Sequence, residues 1–88
     1  MAVAVFKIRI SHRAQADLLE FSPASQKKAA VLVGLLKQDP FAKPCEKLSG
    51  DLAGAYSRRL NLKDRLVYTV ISAKSEIRVL RFITRYAL

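Results

Sequence analysis

The chain has 88 residues, 51% of them hydrophobic, and 16 Lys and Arg against 7 Asp and Glu give a formal net charge of +9. That length supports one domain, spanning 1–88, with a modest core, and the hydrophobic fraction excludes a disordered chain. A single cysteine, Cys45, excludes an internal disulfide and a cysteine-based zinc site, and no apolar run approaches a membrane span.

In chain order, "AVFKIRI" alternates: Ala4, Phe6, Ile8 and Ile10 point one way, and Val5, Lys7 and Arg9 the other, which predicts a half-buried strand. Lysine and arginine also break the opening apolar run before it could serve as a secretory signal, so a cytoplasmic location is expected. Ser11 is placed to cap a first helix carrying Ala14, Leu18 and Phe21 at helical spacing. Ser22 caps a second, Pro23 suits its first turn, and Ala29, Leu32, Val33 and Leu36 form its apolar stripe until Asp39-Pro40 stops it. A loop rich in Pro, Gly and Lys follows from Pro40 to Gly54. The strands "AYSRRLN", "RLVYTVI" and "IRVLRFITRY" complete the chain, the last two joined by a turn at "SAKSE". The order β-α-α-β-β-β predicts an α+β domain: an N-terminal strand, a helical hairpin, then a twisted antiparallel sheet packed on that hairpin.

Register decides where the charges point. A three-residue turn at Leu62–Asp64 would oppose Asn61 to Arg65 and Leu60 to Leu66, leaving Leu60, Leu66, Tyr68 and Val70 on the core face. Ser57, Arg59, Arg65, Val67 and Thr69 then share the other face, while Arg58 has core-face parity and is expected to snorkel at the sheet margin or meet a carboxylate. Like charges on neighbouring strands repel, which an anionic ligand would offset; arginine suits phosphate through its planar fork. The alternative is that Asp51, Asp64 or Glu76 neutralises one of the pair. The basic excess, +4 before Cys45 and +5 from it onward, is a property of the whole surface and points to a nucleic-acid partner rather than a membrane.

The block "DPFAKPCEKLSGDLAGAYSRRLNLKDRLVYTV" resembles the RelE/YoeB (Txe) toxins of type II toxin–antitoxin systems. The shared features, in order, are Pro-Phe, Pro-x-Glu-x-Leu around Glu46, Leu-x-Gly-x-Tyr-Ser-Arg-Arg and Arg-Leu-Val-Tyr, and the likeness extends over essentially the whole chain. It implies a metal-independent mRNA endoribonuclease that works in the ribosomal A site, without a cofactor. It also implies silencing by a small acidic antitoxin, contact with operator DNA only through the antitoxin complex, and allows a homodimer.

By the same resemblance Glu46 matches the general base, Arg65 the phosphate-stabilising arginine and Arg59 a second phosphate contact. Arg58, Lys47 and Arg81 complete the candidate RNA-contacting set. The family ends on a histidine–tyrosine pair, whereas this chain ends "RFITRYAL" and its one histidine is His12, at the start of the first helix. Laying "TRY" on the family's terminus puts Arg85 at the histidine position and Tyr86 at the tyrosine, while a gap-free alignment puts Ile83 and Thr84 there; either way the family's imidazole is missing. Arginine cannot give up a proton near neutrality, so Tyr86 is the candidate acid and Arg85 an assistant. Two other readings share the fold: a ParE-like toxin that binds gyrase without catalysis, and a degenerate toxin retaining only antitoxin and operator binding.

Overall fold

In a computed structural model, which describes residues 5–42 and 45–84, one five-stranded sheet carries both helices on one face. The elements are β1 (Lys7–Ile10), α1 (His12–Leu19), α2 (Pro23–Gln38), β2 (Glu46–Lys47), β3 (Tyr56–Arg59), β4 (Asp64–Ile71) and β5 (Glu76–Thr84), with single 3₁₀ turns at Gly50–Leu52 and Ser72–Lys74. The sheet order is β1-β5-β4-β3-β2.

Both helices begin where their caps predict. Ser11 Oγ accepts from the Ala14 amide at 3.0 Å, and Ser22 Oγ from the Ser25 amide at 3.2 Å. Ser11 Oγ also donates to the Leu80 carbonyl at 2.9 Å, tying the start of α1 to β5. The helices lay Ala14, Ala29, Leu32 and Leu36 on Leu66 and Tyr68 of β4 and on Ile77, Val79 and Phe82 of β5, with Phe6, Ile8 and Ile10 packing from the β1 side. Each buried aliphatic or phenyl group of this kind contributes about 1.5–3 kcal/mol.

Three features depart from the expected sheet. It is mixed, because β1 joins β5 in parallel, Lys7 opposite Glu76 and Ile10 opposite Val79; the chain leaves β1 into the helical hairpin and comes back beside it only as β5, the last strand. The loop from Pro40 to Gly54 holds a short edge strand, β2, antiparallel to β3. The β3–β4 loop keeps three residues but comprises Asn61–Lys63, with Leu60 rather than Asn61 closing it through a 2.8 Å hydrogen bond from its amide to the Asp64 carbonyl.

The loop moves because Asp64 belongs to the strand. Asn61 Oδ1 accepts from the Lys63 and Asp64 amides at 2.9 and 2.8 Å, an Asx-type turn. The buried Asp64 carboxylate accepts from Asn61 Nδ2 at 2.8 Å and from Ser25 Oγ, in α2, at 3.1 Å. This network fixes the hairpin to the first turn of α2. Shifting the loop by one residue changes the register by two, so each side chain keeps its expected face.

A second carboxylate anchors β5 beyond the reach of β1. Asp17 of α1 accepts from Arg81 Nε at 2.7 Å, from Arg81 Nη2 at 3.2 Å and from the Phe82 amide at 3.1 Å. Burial works to raise both carboxyls, but hydrogen bonds from Arg81 and Phe82 hold Asp17, and those from Asn61, Ser25 and Thr84 hold Asp64, below the ordinary value of 3.8. A lowered folded-state value means that the unfolded chain binds more protons near that pH, so stability rises with pH there. The stabilisation is complete above 3.8 and is lost as pH falls through the folded values. Thermal melts should therefore show the midpoint falling steeply below that pH, and Asp17→Asn should flatten the acid limb; a midpoint unchanged by acid would refute the assignment.

Candidate RNA-cleaving site

The strand order brings three candidate residues, Glu46, Arg59 and Arg65, together with Ser57 on the sheet face turned away from the helices. In β3 and β4, Arg59 opposes Arg65, Arg58 opposes Leu66 and Ser57 opposes Val67. Glu46 opposes Ser57 from the edge strand β2. Directly opposed residues share a face, so Glu46, Ser57, Arg59 and Arg65 lie on one surface.

Arg65 is the centre of this group. Its Nη1 donates to Ser57 Oγ at 3.2 Å and lies 3.6 Å from Glu46 Oε2. Its side chain is 19% exposed and that of Glu46 61%, so the carboxylate stands in solvent while the guanidinium is braced beneath it. Asp64 is committed to Asn61 and Ser25, and Glu76 to Arg9 and Arg78. Among the described residues Glu46 is therefore the carboxylate that meets Arg65. Arg59 stands exposed at the hairpin end, where it also borders a cavity of about 420 Å³ with Lys27, Lys28 and Val31 of α2.

The remaining candidates lie elsewhere. Lys47, opposite Tyr56, alternates with Glu46 and so points to the other face. Arg58 lies on that face too: its Nη1 is buried without a hydrogen-bond partner, and among the described residues it pairs with no carboxylate. Arg81 opposes Val67 but is held by Asp17. His12 is the exposed first residue of α1. Arg85 and Tyr86 lie outside the described residues.

Behind the arginines, an aromatic stack supports the strands. Tyr68 donates to the Pro40 carbonyl at 2.6 Å and stacks at 5.8 Å on Tyr56, which meets Phe41 edge-on at 5.5 Å. Burial, reinforced by nearby Cys45, pushes the Tyr68 phenol well above its usual range, so it acts as a fixed hydrogen-bond donor. Sequence reasoning missed this role and the Asp17–Arg81 and Asp64–Ser25 contacts, which join residues 64 and 39 positions apart. Only the aromatic content of "PFAK" and "VYTV" hinted at any of them.

Comparison with known proteins defines the class. The fold matches the YoeB/ParE toxin from Agrobacterium tumefaciens with a TM-score of 0.80 and 27% identity, covering 92% of this chain and 100% of that one. It matches the YoeB dimer from Staphylococcus aureus with a TM-score of 0.73 and 28% identity over 97% and 100% of the two chains. The YoeB-YefM complex from the same organism matches with a TM-score of 0.74 and 29% identity over 92% and 98%. No curated protein sequence matches the chain. The architecture is thus that of the RelE/YoeB toxins. More narrowly, the model of the YoeB-like toxin of bacterial type II toxin-antitoxin systems matches residues 11–86, and the chain belongs to that family.

Proposed function

We propose that this toxin is a ribosome-dependent mRNA endoribonuclease, with Glu46, Arg65 and Arg59 forming its cleavage centre. The observation that carries the reading is the 3.6 Å approach of the exposed Glu46 carboxylate to Arg65, itself opposite Arg59. Cleavage at a ribose requires removal of the 2′-OH proton, stabilisation of the charge that builds on the phosphate, and protonation of the 5′-oxygen that leaves. Glu46 takes the proton, and the 2′-oxygen attacks the adjacent phosphorus. Arg65 and Arg59 hold the developing negative charge with bidentate hydrogen bonds. Tyr86 supplies the proton to the leaving 5′-oxygen, assisted by Arg85, and Arg58, Lys47 and Arg81 add to the positive field that draws RNA in.

The partners follow from charge and kinship. A small acidic antitoxin would neutralise a chain of net charge +9, as the YoeB-YefM complex of the relative suggests. The complex would reach operator DNA through that antitoxin, and the toxin could pair with itself as the S. aureus YoeB dimer does. The place of action is the cytoplasm. Expression in a susceptible cell tests the reading. Rapid arrest of translation with messages cut in frame is the expected result. DNA damage with intact translation would instead mark a gyrase-binding toxin, and no toxicity would mark a degenerate one.

A further inference from the structure

A second arginine pair repeats the arrangement at the cleavage centre. Arg9 of β1 and Arg78 of β5 are direct partners in the parallel register, and Arg78 also opposes Thr69 of β4. Thr69 lies four residues from Arg65 along the same strand, so alternation puts both arginine pairs on one face of the sheet. Arg65 and Thr69 are then about 13 Å apart along β4, and Arg78 is displaced by one further strand spacing of about 5 Å.

The two pairs differ in their carboxylate. Glu76 stands with only 7% of its side chain exposed; Arg9 Nε lies 2.9 Å from its Oε1, and Arg78 Nε donates to its Oε2 at 2.8 Å. The Arg78 hydrogen bond, with Arg9 adding to it against burial, holds the Glu76 carboxyl below its usual range. Both guanidiniums are therefore gripped through Nε. Among the described residues their Nη groups have no hydrogen-bond partner, and the Arg9 side chain is 76% exposed. One carboxylate offsets one of two positive charges and leaves the cluster net cationic. Beside it opens a cavity of about 350 Å³ bordered by His12, Ser11 and Leu80. Two outward guanidinium ends held in one geometry suit the non-bridging oxygens of a phosphodiester, because their ordering cost is met before the ligand arrives. Glu76, buried and doubly engaged, has no access to a ribose hydroxyl, so this pair can hold RNA but not cut it.

We infer that Arg9 and Arg78, locked together by Glu76, form a second phosphodiester-binding subsite that grips the RNA backbone a few nucleotides from the scissile linkage. This rests on the RNA-cleaving reading above and extends it to a track across the sheet. The test is the salt dependence of binding to a single-stranded RNA oligonucleotide made non-cleavable by 2′-O-methylation. Arg9→Gln should reduce the slope of log affinity against log salt by about 0.7, the value for one lost phosphate contact on a single strand. R9Q/E76Q/R78Q, which leaves no buried carboxylate unpaired, should reduce it by about 1.4. Wild-type slopes in both variants would overturn the subsite and reduce the cluster to an internal ion pair. The outcome is separable from the catalytic reading: a wild-type protein that fails to cut message on programmed ribosomes defeats that reading, while the slope difference stands or falls on its own.

Discussion

Replacing Arg65 with alanine is expected to slow single-turnover cleavage of message on programmed ribosomes by about 10²–10³-fold, the usual loss when one preorganised stabiliser of developing charge is removed. Folding should respond modestly, because the bond to the buried Ser57 hydroxyl, worth about 1 kcal/mol, is lost. The ion pair with Glu46 is 3.6 Å long with a largely exposed carboxylate, and such pairs contribute about 0–1 kcal/mol. Arg65→Lys should recover only part of the rate, since an ammonium keeps the charge but loses the fork that grips two oxygens. Glu46→Ala should cost about 10²–10⁴-fold, as expected for loss of a general base, and the double variant should lose less than the product of the two because both act on one transition state. Cleavage undiminished in both single variants would remove the assignment.

Asp64→Ala should destabilise the fold more than any change at the proposed cleavage centre. The carboxylate accepts from Ser25 and Asn61 in a buried setting. Hydrogen bonds to a charged group contribute about 1.5–3 kcal/mol each, and the stranded donors add a desolvation cost. A loss of about 3 kcal/mol is expected, a large part of the stability of a domain this size. It should appear as a lower urea midpoint with an unchanged m-value. The effect reaches function because the Asn61–Asp64 turn sets the register that opposes Arg59 to Arg65. Lys63→Ala, in the same loop but exposed and donating only through its backbone amide, should leave both stability and cleavage near wild type. An Asp64→Ala protein as stable as wild type would show that the turn holds its register without the buried carboxylate.

The parts of this architecture that are written locally could be read locally. Alternation in "FKIRI", serines ahead of both helices and the stripe from Ala29 to Leu36 each express a single backbone period or a cap, and the structure places them accordingly. So too with the faces of β3 and β4, because a shift of the loop by one residue preserves parity. What escaped the sequence depends on distant partners. Two residues, Glu46 and Lys47, are too few to show alternation, and they become a strand only because β3 offers its edge. The parallel docking of β1 on β5 carries no local signature. Arg81 was a candidate for phosphate by its charge alone, and its engagement by Asp17 across 64 positions is visible only in three dimensions. At the proposed cleavage centre, the shared face of Arg59 and Arg65 is legible from strand parity, whereas the position of Glu46 comes from kinship to known toxins rather than from pattern.

In the proposed mechanism Glu46 and Arg65 engage a ribose hydroxyl and the phosphate next to it from one spot on the sheet. The direct measurement is single-turnover cutting of two messages on programmed ribosomes, identical except that one lacks the 2′-oxygen at the scissile nucleotide. Cutting of the ribose message, with none of its deoxy counterpart, is the result foreseen. Equal cutting of both would mean that no hydroxyl is activated here and that the carboxylate beside Arg65 has some other purpose.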